Sequence, residues 1–582
     1  MKKIYNNIII VALLLVAGML SGCHFLDQNP DMRASIDTKE KVRLLLVSAY
    51  TSANAGVICE FSSDNVIDNN SPDKTGHSNS LLPLDKMYDE IYGWYPVVSN
   101  DQQDSPKYIW DGCYSAIAAC NQALLAIAEL EKKGINMDAE KGEALMSRAY
   151  HHFLLATVFC HTWKDENQSK LDSGIYYMTK PETEVAPYYN RGTVYDTYMA
   201  IQKDIEDGIS LVSDEYYTVP KYHFNIKAAN AFATRFYIYT RQWDKALKHA
   251  NIVLSEDDAT VVASLFDATY AKVECTDIQT EMNAWIDVRS AANLLIYTTM
   301  SVASYTAFPT YGRYQFNRDA RDYTTSGKGP CWSSRFPGYS VWSAGQEYGS
   351  LLAYFYYLFE YTDKVNGYGY VHGVTRAFTT NETLLCRAEA KVNLNDLEGA
   401  VNDLRMWAQG YNVNGAMDTL PDGRVALTLN KIKTFYKEGE NENWVPVLHN
   451  EDICSSWKLS KDQEAITDCI LHFRRLETIH TGLRWHDLKR YGIEIQHRQG
   501  TNPVQTLIWN DDRRAIQLPK EVILAGMAPN PRVIVGDNLG GGDSYGVSMS
   551  EGEPIKSNIF EAKALGATLQ RVEEEDENDD QQ

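Results

Sequence analysis

The chain has little that would mark it as an enzyme or a metal protein. Its 582 residues hold no Gly-x-Ser-x-Gly elbow, no His-Glu-x-x-His pair, no phosphate-binding loop and no Gly-x-Gly-x-x-Gly opening a helix. The usual spacing signatures of acyl hydrolases, zinc proteases and nucleotide enzymes are therefore missing. The carboxylate pair of a glycosidase follows no spacing rule, so sequence alone does not decide that case. There are 10 cysteines but no Cys-x-x-Cys pair, and no structural zinc site is expected. Cys113 and Cys120 lie two helical turns apart, and Cys454 and Cys469 are another pair that could meet. With such irregular spacing most of these thiols read as small buried hydrophobes. His151-His152 and His480 with His486 lack the i, i+4 spacing of a helical metal pair and read as core or surface histidines. Basic charge is also scarce, 55 Lys and Arg against 77 Asp and Glu. Such a surface repels phosphate backbones and argues against nucleic acid as a partner. Past the N-terminus no apolar run has both the length and the purity expected of a membrane span; Leu351 to Phe359 is short, tyrosine-rich and reads as a buried element.

What is present starts at the N-terminus. Lys2 and Lys3 form a charged region, Ile8 to Gly18 an apolar one, and Leu20-Ser21-Gly22-Cys23 follows. Small residues before a cysteine have the form of a bacterial lipoprotein cleavage site. Residues 1–22 are expected to be removed, leaving Cys23 as a lipidated N-terminus that tethers the body without a spanning helix.

Helical periodicity dominates the body. Val42, Leu45, Leu46, Ala49 and Ala53 follow a three-four rhythm, as do Leu145, Ala149, Phe153, Ala156 and Cys160. Ala229, Phe232, Ala233, Phe236 and Thr240 repeat it, and Trp243 to Leu254 follows after a short turn, giving a helical hairpin. Ala246 and Ala250, one turn apart, would let the partner helix approach closely. A second hairpin runs from Glu382 to Val392 and from Leu397 to Ala408. Both resemble tetratricopeptide units, but they are too far apart for a simple tandem, so intervening segments are expected to help stack them.

Two stretches, 61–110 and 301–345, break the pattern with Gly, Pro, Ser and aromatic residues in no period. Long irregular segments of this kind usually carry function or are disordered, and their aromatic content argues against disorder. The chain has 37 Tyr and 12 Trp against 17 Phe. Tyrosine and tryptophan join a large contact area to a polar handle, which suits wet recognition of sugar faces and hydroxyls.

Taken in order, these features resemble the SusD/RagB family of surface nutrient-binding lipoproteins of Bacteroidetes. Phe25-Leu26-Asp27 with Pro30 resembles the family's opening, and Thr38 to Tyr50 its first helix. Trp110, Tyr114, Ile117 and Asn121 match one family helix; Arg148-Ala149-Tyr150 with Phe153 match the next. Arg191, Tyr195, Tyr198, Ile201 and Asp204 follow, then Ala228-Ala229 through Trp243 and Ala246, and Ala388-Glu389-Ala390. The most specific match is Arg474-Arg475 with Gly482 to Arg490, and Leu518-Pro519, Glu521 and Asn530-Pro531 resemble the close. The chain departs at Thr481-Gly482, where the family usually has Glu-Gly, and in His472-Phe473-Arg474-Arg475-Leu476-Glu477, which thins the family's charged pattern.

The resemblance implies a mainly α fold in which tetratricopeptide-like helical hairpins support a loop-rich ligand-binding face. Residues 23–531 would form the nutrient-binding domain, and 532–582, with Gly540-Gly541-Gly542 and an acidic end, a flexible extension. It further implies a non-catalytic outer-membrane lipoprotein on the cell surface, without cofactor, that passes oligosaccharide to a SusC-like TonB-dependent transporter. A RagB-like peptide carrier is the alternative, since aromatic hydrogen-bonding loops suit an extended peptide too; a surface glycan hydrolase is a third. The family's aromatic arc on loops maps to Trp94, Tyr92, Tyr95, Trp332 and Tyr311, with Arg313, Arg335 and Asn100 as hydrogen-bond donors. Arg484, Asp487 and Arg490 read as a structural ion set, Asp487 lying three residues from each arginine.

Overall fold

Side-chain caps set where the helices begin. The computed structural model describes residues 36–73, 75–182, 189–304, 312–343, 349–438, 445–532 and the backbone of 570–571. Cys23 with its lipobox, Tyr311 and nearly all of the C-terminal extension lie outside the described residues. Thr38 accepts the Lys41 amide N–H to open α1 (Lys39–Leu46), and Asn54 accepts that of Gly56 to open α2 (Ala55–Ser62). After α3 (Lys86–Tyr92), Ser105 caps α4 (Pro106–Lys132), where Pro106 occupies a first-turn position whose N–H has no helical acceptor. Ile109, Cys113, Ile117, Cys120, Ile127 and Leu130 form the buried face of α4. By length and composition α4 could cross a membrane; here its apolar stripe packs against α5 (Asp138–Phe159).

The next helix, α6 (Val194–Gly208), docks on α5 through a buried polar junction. Arg148 Nε and Nη2 donate to Asp204 at 2.6 and 2.8 Å, and Arg148 Nη1 donates to Asn121 Oδ1 at 2.8 Å. Three residues that carried the family resemblance on separate helices thus form one cluster. Beyond it, α7 (Ile226–Tyr239) and α8 (Trp243–Val253) form the first helical hairpin, turned at Arg241 with φ +57°. After α9 (Ile278–Trp285), α10 (Thr380–Asn393) and α11 (Leu397–Gly410) form the second. The two hairpins stack directly, α8 on α10 with Ala246 and Ala250 fully buried on α8, and strands from the segment between them also pack on α7 and α10. Small side chains at one-turn spacing allow that close approach.

A chain of alternating charges ties the second half together. It runs through α7, α10, α12 (Lys461–Glu477) and α13 (Leu483–Arg490). Glu382 accepts from Arg235 Nε at 3.2 Å and from Arg474 Nη1 at 3.3 Å. Asp487 accepts from Arg474 Nε at 2.8 Å and from Arg490 Nη2 at 2.8 Å. Arg490 closes on Glu389 at 2.7 and 3.1 Å. All six groups are buried. One part of the sequence reading needs correction: Arg484 does not share Asp487 but binds Asp64 at 2.9 and 2.8 Å, because the neighbouring helix supplies Arg474 in its place.

All strands but β7 are short: β1 (Ile67–Asp68), β2 (Asn293–Thr299), β3 (Tyr314–Gln315), β4 (Trp342–Ser343), β5 (Ser350–Leu351), β6 (Leu358–Asp363), β7 (Tyr368–Thr379), β8 (Ile495–His497), β9 (Gln505–Leu507) and β10 (Gln570–Arg571). β1 and β3 pair antiparallel, Asp68 opposite Tyr314, which joins the two irregular segments to each other. β10 pairs with β4, so this part of the extension is extended backbone on a sheet. The third sheet runs β2-β7-β6, with a register shift between Leu295 opposite Phe378 and Ile296 opposite Arg376. That shift turns consecutive even-numbered side chains to opposite faces. Phe378 packs on Tyr150, Phe224 and Phe232, whereas the Arg376 guanidinium lies over Trp285 and Tyr354.

The cysteines among the described residues are all free and buried, and Cys454 and Cys469 do not bond. Burial pushes the Cys113 and Cys120 thiols up to about 12, so they stay protonated and inert. The adjacent histidines are core groups. His151 and His152 each accept a loop N–H on Nε2, from Thr51 and Met178 at 3.0 Å, and reach the carbonyl four residues back through Nδ1. Burial lowers them to about 4 and about 3, leaving both rings neutral.

Candidate ligand face

The face is built where β1, β3, α3 and the β8–β9 hairpin converge. Arg313, beside β3, donates from Nε and Nη2 to the Asp68 carboxylate at 2.9–3.1 Å and from Nη1 to Asp89 at 2.9 Å. Tyr314 O–H also donates to Asp89. Gln499 donates to the Asp89 carbonyl at 2.9 Å and to Tyr314 Oη at 3.2 Å; the Gly500 amide reaches Asp68 at 2.8 Å. Arg313 and Asp89 keep part of their surface in solvent, while Asp68 is fully covered. A half-open rim of this kind keeps some oxygen and nitrogen surface within reach of hydroxyls while its charges compensate one another.

An aromatic column runs beneath it. Tyr92 lies 4.6 Å from Tyr314 and stacks on His497 at 4.0 Å, and Trp94 covers the other side of His497 at 4.3 Å. Both ring nitrogens of His497 meet backbone carbonyls, Tyr92 O at 2.8 Å and Ser63 O at 2.9 Å. Trp94 donates from Nε1 to Ser62 O at 3.0 Å and holds φ +57°, which bends the chain so that Tyr95 emerges. Tyr95 is 48% exposed, and its hydroxyl accepts the Gln505 side-chain N–H at 2.8 Å. Gly93 is required beside it, since a Cβ there would sit 2.4 Å from the Tyr95 ring.

The expected contact residues therefore divide. Tyr95 and Arg335 are exposed, and Arg313 is half-buried in the rim. Trp94, Tyr92 and Trp332 are buried, which corrects their assignment as open platforms: stacking on His497 occupies two of them. Trp332 sits among Phe336, His472 and Phe473 and donates to Gly327 O at 2.9 Å. Asn100 uses its amide on Asp85 at 2.6 Å and on the Gln102 N–H at 2.8 Å, so it serves its own turn. Tyr311 lies outside the described residues. Sequence reasoning missed Asp68, Asp89, Gln499 and Gln505. Alternation on either side of Gly500-Thr501-Asn502-Pro503 was the available signal for the β8–β9 hairpin that carries the glutamines.

A second aromatic surface was also missed. The run from Leu351 is buried only to Phe355; Phe359 is exposed, correcting the reading of the whole run as core. With Tyr361, Tyr368 and Tyr370 it stands on the β6–β7 hairpin, turned by Asn366-Gly367 with Gly367 at φ +73°. Tyr361 and Tyr368 are 53% and 70% exposed.

Comparison with known proteins places this architecture. Residues 24–238 match the SusD-like family model described as starch-binding, associating with outer membrane. The whole fold is similar to a SusD superfamily protein from Bacteroides fragilis at TM-score 0.54 and 17% identity, covering 84% of this chain and 98% of that one. The fold is SusD-like. A SusD superfamily protein from Bacteroides thetaiotaomicron aligns at TM-score 0.54 and 16% identity, over 85% and 99% of the two chains. A SusD-like carbohydrate binding protein from Bacteroides vulgatus aligns at 0.50 and 15%, over 84% and 96%. At such identities these neighbours establish the SusD-like fold, not the ligand. No curated protein matches the chain.

Proposed function

We propose that this SusD-like chain is an outer-membrane lipoprotein, anchored at the cell surface through Cys23, that binds oligosaccharide without altering it. In this reading residues 1–22 are a removed leader, 23–531 the binding domain and 532–582 an accessory extension. Bound glycan passes to a SusC-like TonB-dependent transporter, and enclosure between the two proteins adds affinity the isolated chain lacks. The description of the matching family and the carbohydrate-binding neighbour support the ligand class.

One observation carries the reading at the level of residues. Tyr95 presents an exposed ring just past the end of α3, anchored at its hydroxyl by Gln505 of β9, and α3 and the β8–β9 hairpin also hold the Arg313–Asp68–Asp89 rim. An apolar ring face next to paired donors and acceptors matches a sugar, whose C–H face stacks while its hydroxyls need partners. The test is affinity electrophoresis of the soluble chain, from residue 24 onward, on a panel of neutral glycans beside a peptide library. Retardation by at least one glycan is expected, weakened about tenfold by Tyr95→Ala, a loss of ~1.4 kcal/mol. Retention by no glycan, with peptides co-purifying, would overturn the proposal in favour of a peptide carrier.

A further inference from the structure

The β7 strand loses its neighbour halfway along. Pairing with β6 ends at Leu358 opposite His372, while β2 continues beside β7 to Thr379. Beyond that point no described strand pairs with the β6 side of β7, and a cavity of about 90 Å3 lies against residues 374–377. Asn54, Tyr150, Tyr354, Arg376 and Thr481 are among its walls. Such an opening takes one substituent of a larger ligand, the remainder lying outside.

Arg376 is the unusual group there. Its guanidinium sits in the corner made by Trp285 and Tyr354, 4.6 and 4.4 Å from their centres, the two rings meeting edge to face at 5.0 Å. Contact with two rings restrains the orientation of the fork. Among the described residues no carboxylate stands within ion-pair distance of it, and its buried Nε has no hydrogen-bond partner. Arg235, which lines the same cavity, is by contrast bound to Glu382 and to the Ala377 carbonyl. The carboxylate that acts on Arg376 from beyond contact, Glu477, is itself occupied by Trp407 Nε1–H at 2.9 Å and Tyr411 O–H at 2.8 Å. An oriented, unneutralised guanidinium at a cavity wall is suited to bidentate recognition of a planar anion.

On the same face of β7, at two-residue spacing, Val374, His372 and the exposed Tyr370 lead outward from Arg376. We propose that the β7 edge is a subsite for the carboxylate of a uronic-acid residue, held by Arg376, with the rest of the acidic glycan running toward Tyr370. This rests on the glycan-binding reading and adds a substrate class to it. The net acidic surface of the chain disfavours polyanions in general, so a built cationic subsite is what selectivity for one would require.

Isothermal titration with a galacturonate oligomer, its methyl ester and a neutral oligosaccharide decides the matter. The acid should bind at least about tenfold more tightly than its ester, and Arg376→Met should abolish that preference while leaving neutral-glycan binding unchanged. Arg376→Lys should lose most of the preference, because a point charge replaces a fork. Thr481→Glu, which puts a carboxylate on the cavity wall and leaves the Arg376 stack untouched, should do likewise and covers the case of a misfolded Arg376→Met. Equal binding of acid and ester by the wild-type chain, or a preference that survives both Arg376→Lys and Thr481→Glu, overturns the subsite. If neutral glycans bind and the acid does not, the subsite falls alone. If no saccharide binds but peptides with a free C-terminal carboxylate do, the uronate subsite and the glycan reading fall together.

Discussion

Replacing Asp487 by Asn is the most direct probe of what holds this scaffold together. The carboxylate sits between Arg474 and Arg490 at 2.8 Å from each, with no exposure of its own. Burial pushes its pKa up, but the two guanidinium groups outweigh that and hold it at about 2. A folded value below the unfolded ~3.9 means the ion form stabilises the fold above pH ~4, and the gain fades as pH falls toward 2. The size of the shift corresponds to roughly 2–3 kcal/mol at neutral pH. An independent estimate, the cost of leaving a buried partner uncompensated, is ~3–5 kcal/mol, at its lower end here because Asn keeps one acceptor oxygen. Unfolding entropy near 2.1 cal/mol/K per residue over roughly 500 folded residues converts ~3 kcal/mol into a Tm loss of about 3 °C. Thermal unfolding followed by circular dichroism at pH 7 should show that loss, and the gap between wild type and Asp487→Asn should close between pH 4 and pH 2. In a double-mutant cycle, Arg474→Met should cost less in the Asp487→Asn background than alone. A shift below about 1 °C, a gap indifferent to acid, or strict additivity would refute the claim that the charge chain is a cooperative unit.

Glu477 should show the opposite pH dependence. Burial raises its carboxyl to about 7, with Arg376, Tyr411 and Trp407 offsetting only part. The folded chain then holds a proton that the unfolded chain releases near 4.3, so stability drains as pH rises from about 4 through 7. Glu477→Gln should remove that slope, gaining ~3 kcal/mol relative to wild type between pH 4 and pH 8 in urea unfolding; parallel curves would contradict it. Gly482→Ala should be costly for two reasons: Gly482 holds φ +78° at the start of α13, and a Cβ there would stand 2.5 Å from the Gly56 carbonyl oxygen. A loss of more than ~2 kcal/mol in the same assay is expected, and a loss under ~1 kcal/mol would show that the α2–α13 approach can relax.

The helical part of the fold was legible because burial and period coincide. Ile109, Cys113, Ile117 and Cys120 recur every three or four residues, and each is buried on α4. The charge chain was half legible. Spacing told that Asp487 could reach an arginine one turn away, and Arg490 is that arginine. It could not tell that Arg474, on another helix, would take the second place and send Arg484 to Asp64. Which of several arginines wins a buried carboxylate depends on how helices cross, and local spacing holds no record of crossing angles. The β6–β7 hairpin had a clear local signal in Asn366-Gly367 between alternating segments. It was obscured by an apolar run that begins in the core at Leu351 and ends in solvent at Phe359.

The ligand face shows a sharper limit. An aromatic residue in an irregular loop satisfies the same local rule whether its ring meets water or another ring. Trp94 and Tyr95 are neighbours, yet one is 5% exposed and the other 48%. The difference is made by His497, about four hundred residues away, which fills the space between Trp94 and Tyr92 and holds both inward. Arg313 and Arg376 illustrate the same point with charge. Both are half-buried arginines, but β1 brings Asp68 to the first, while among the described residues no carboxylate comes within ion-pair distance of the second. What a residue type can bind is written locally; whether its binding capacity is already used is decided by partners from distant parts of the chain. For that reason the unused guanidinium, rather than the most aromatic loop, is where the structure adds most to the sequence.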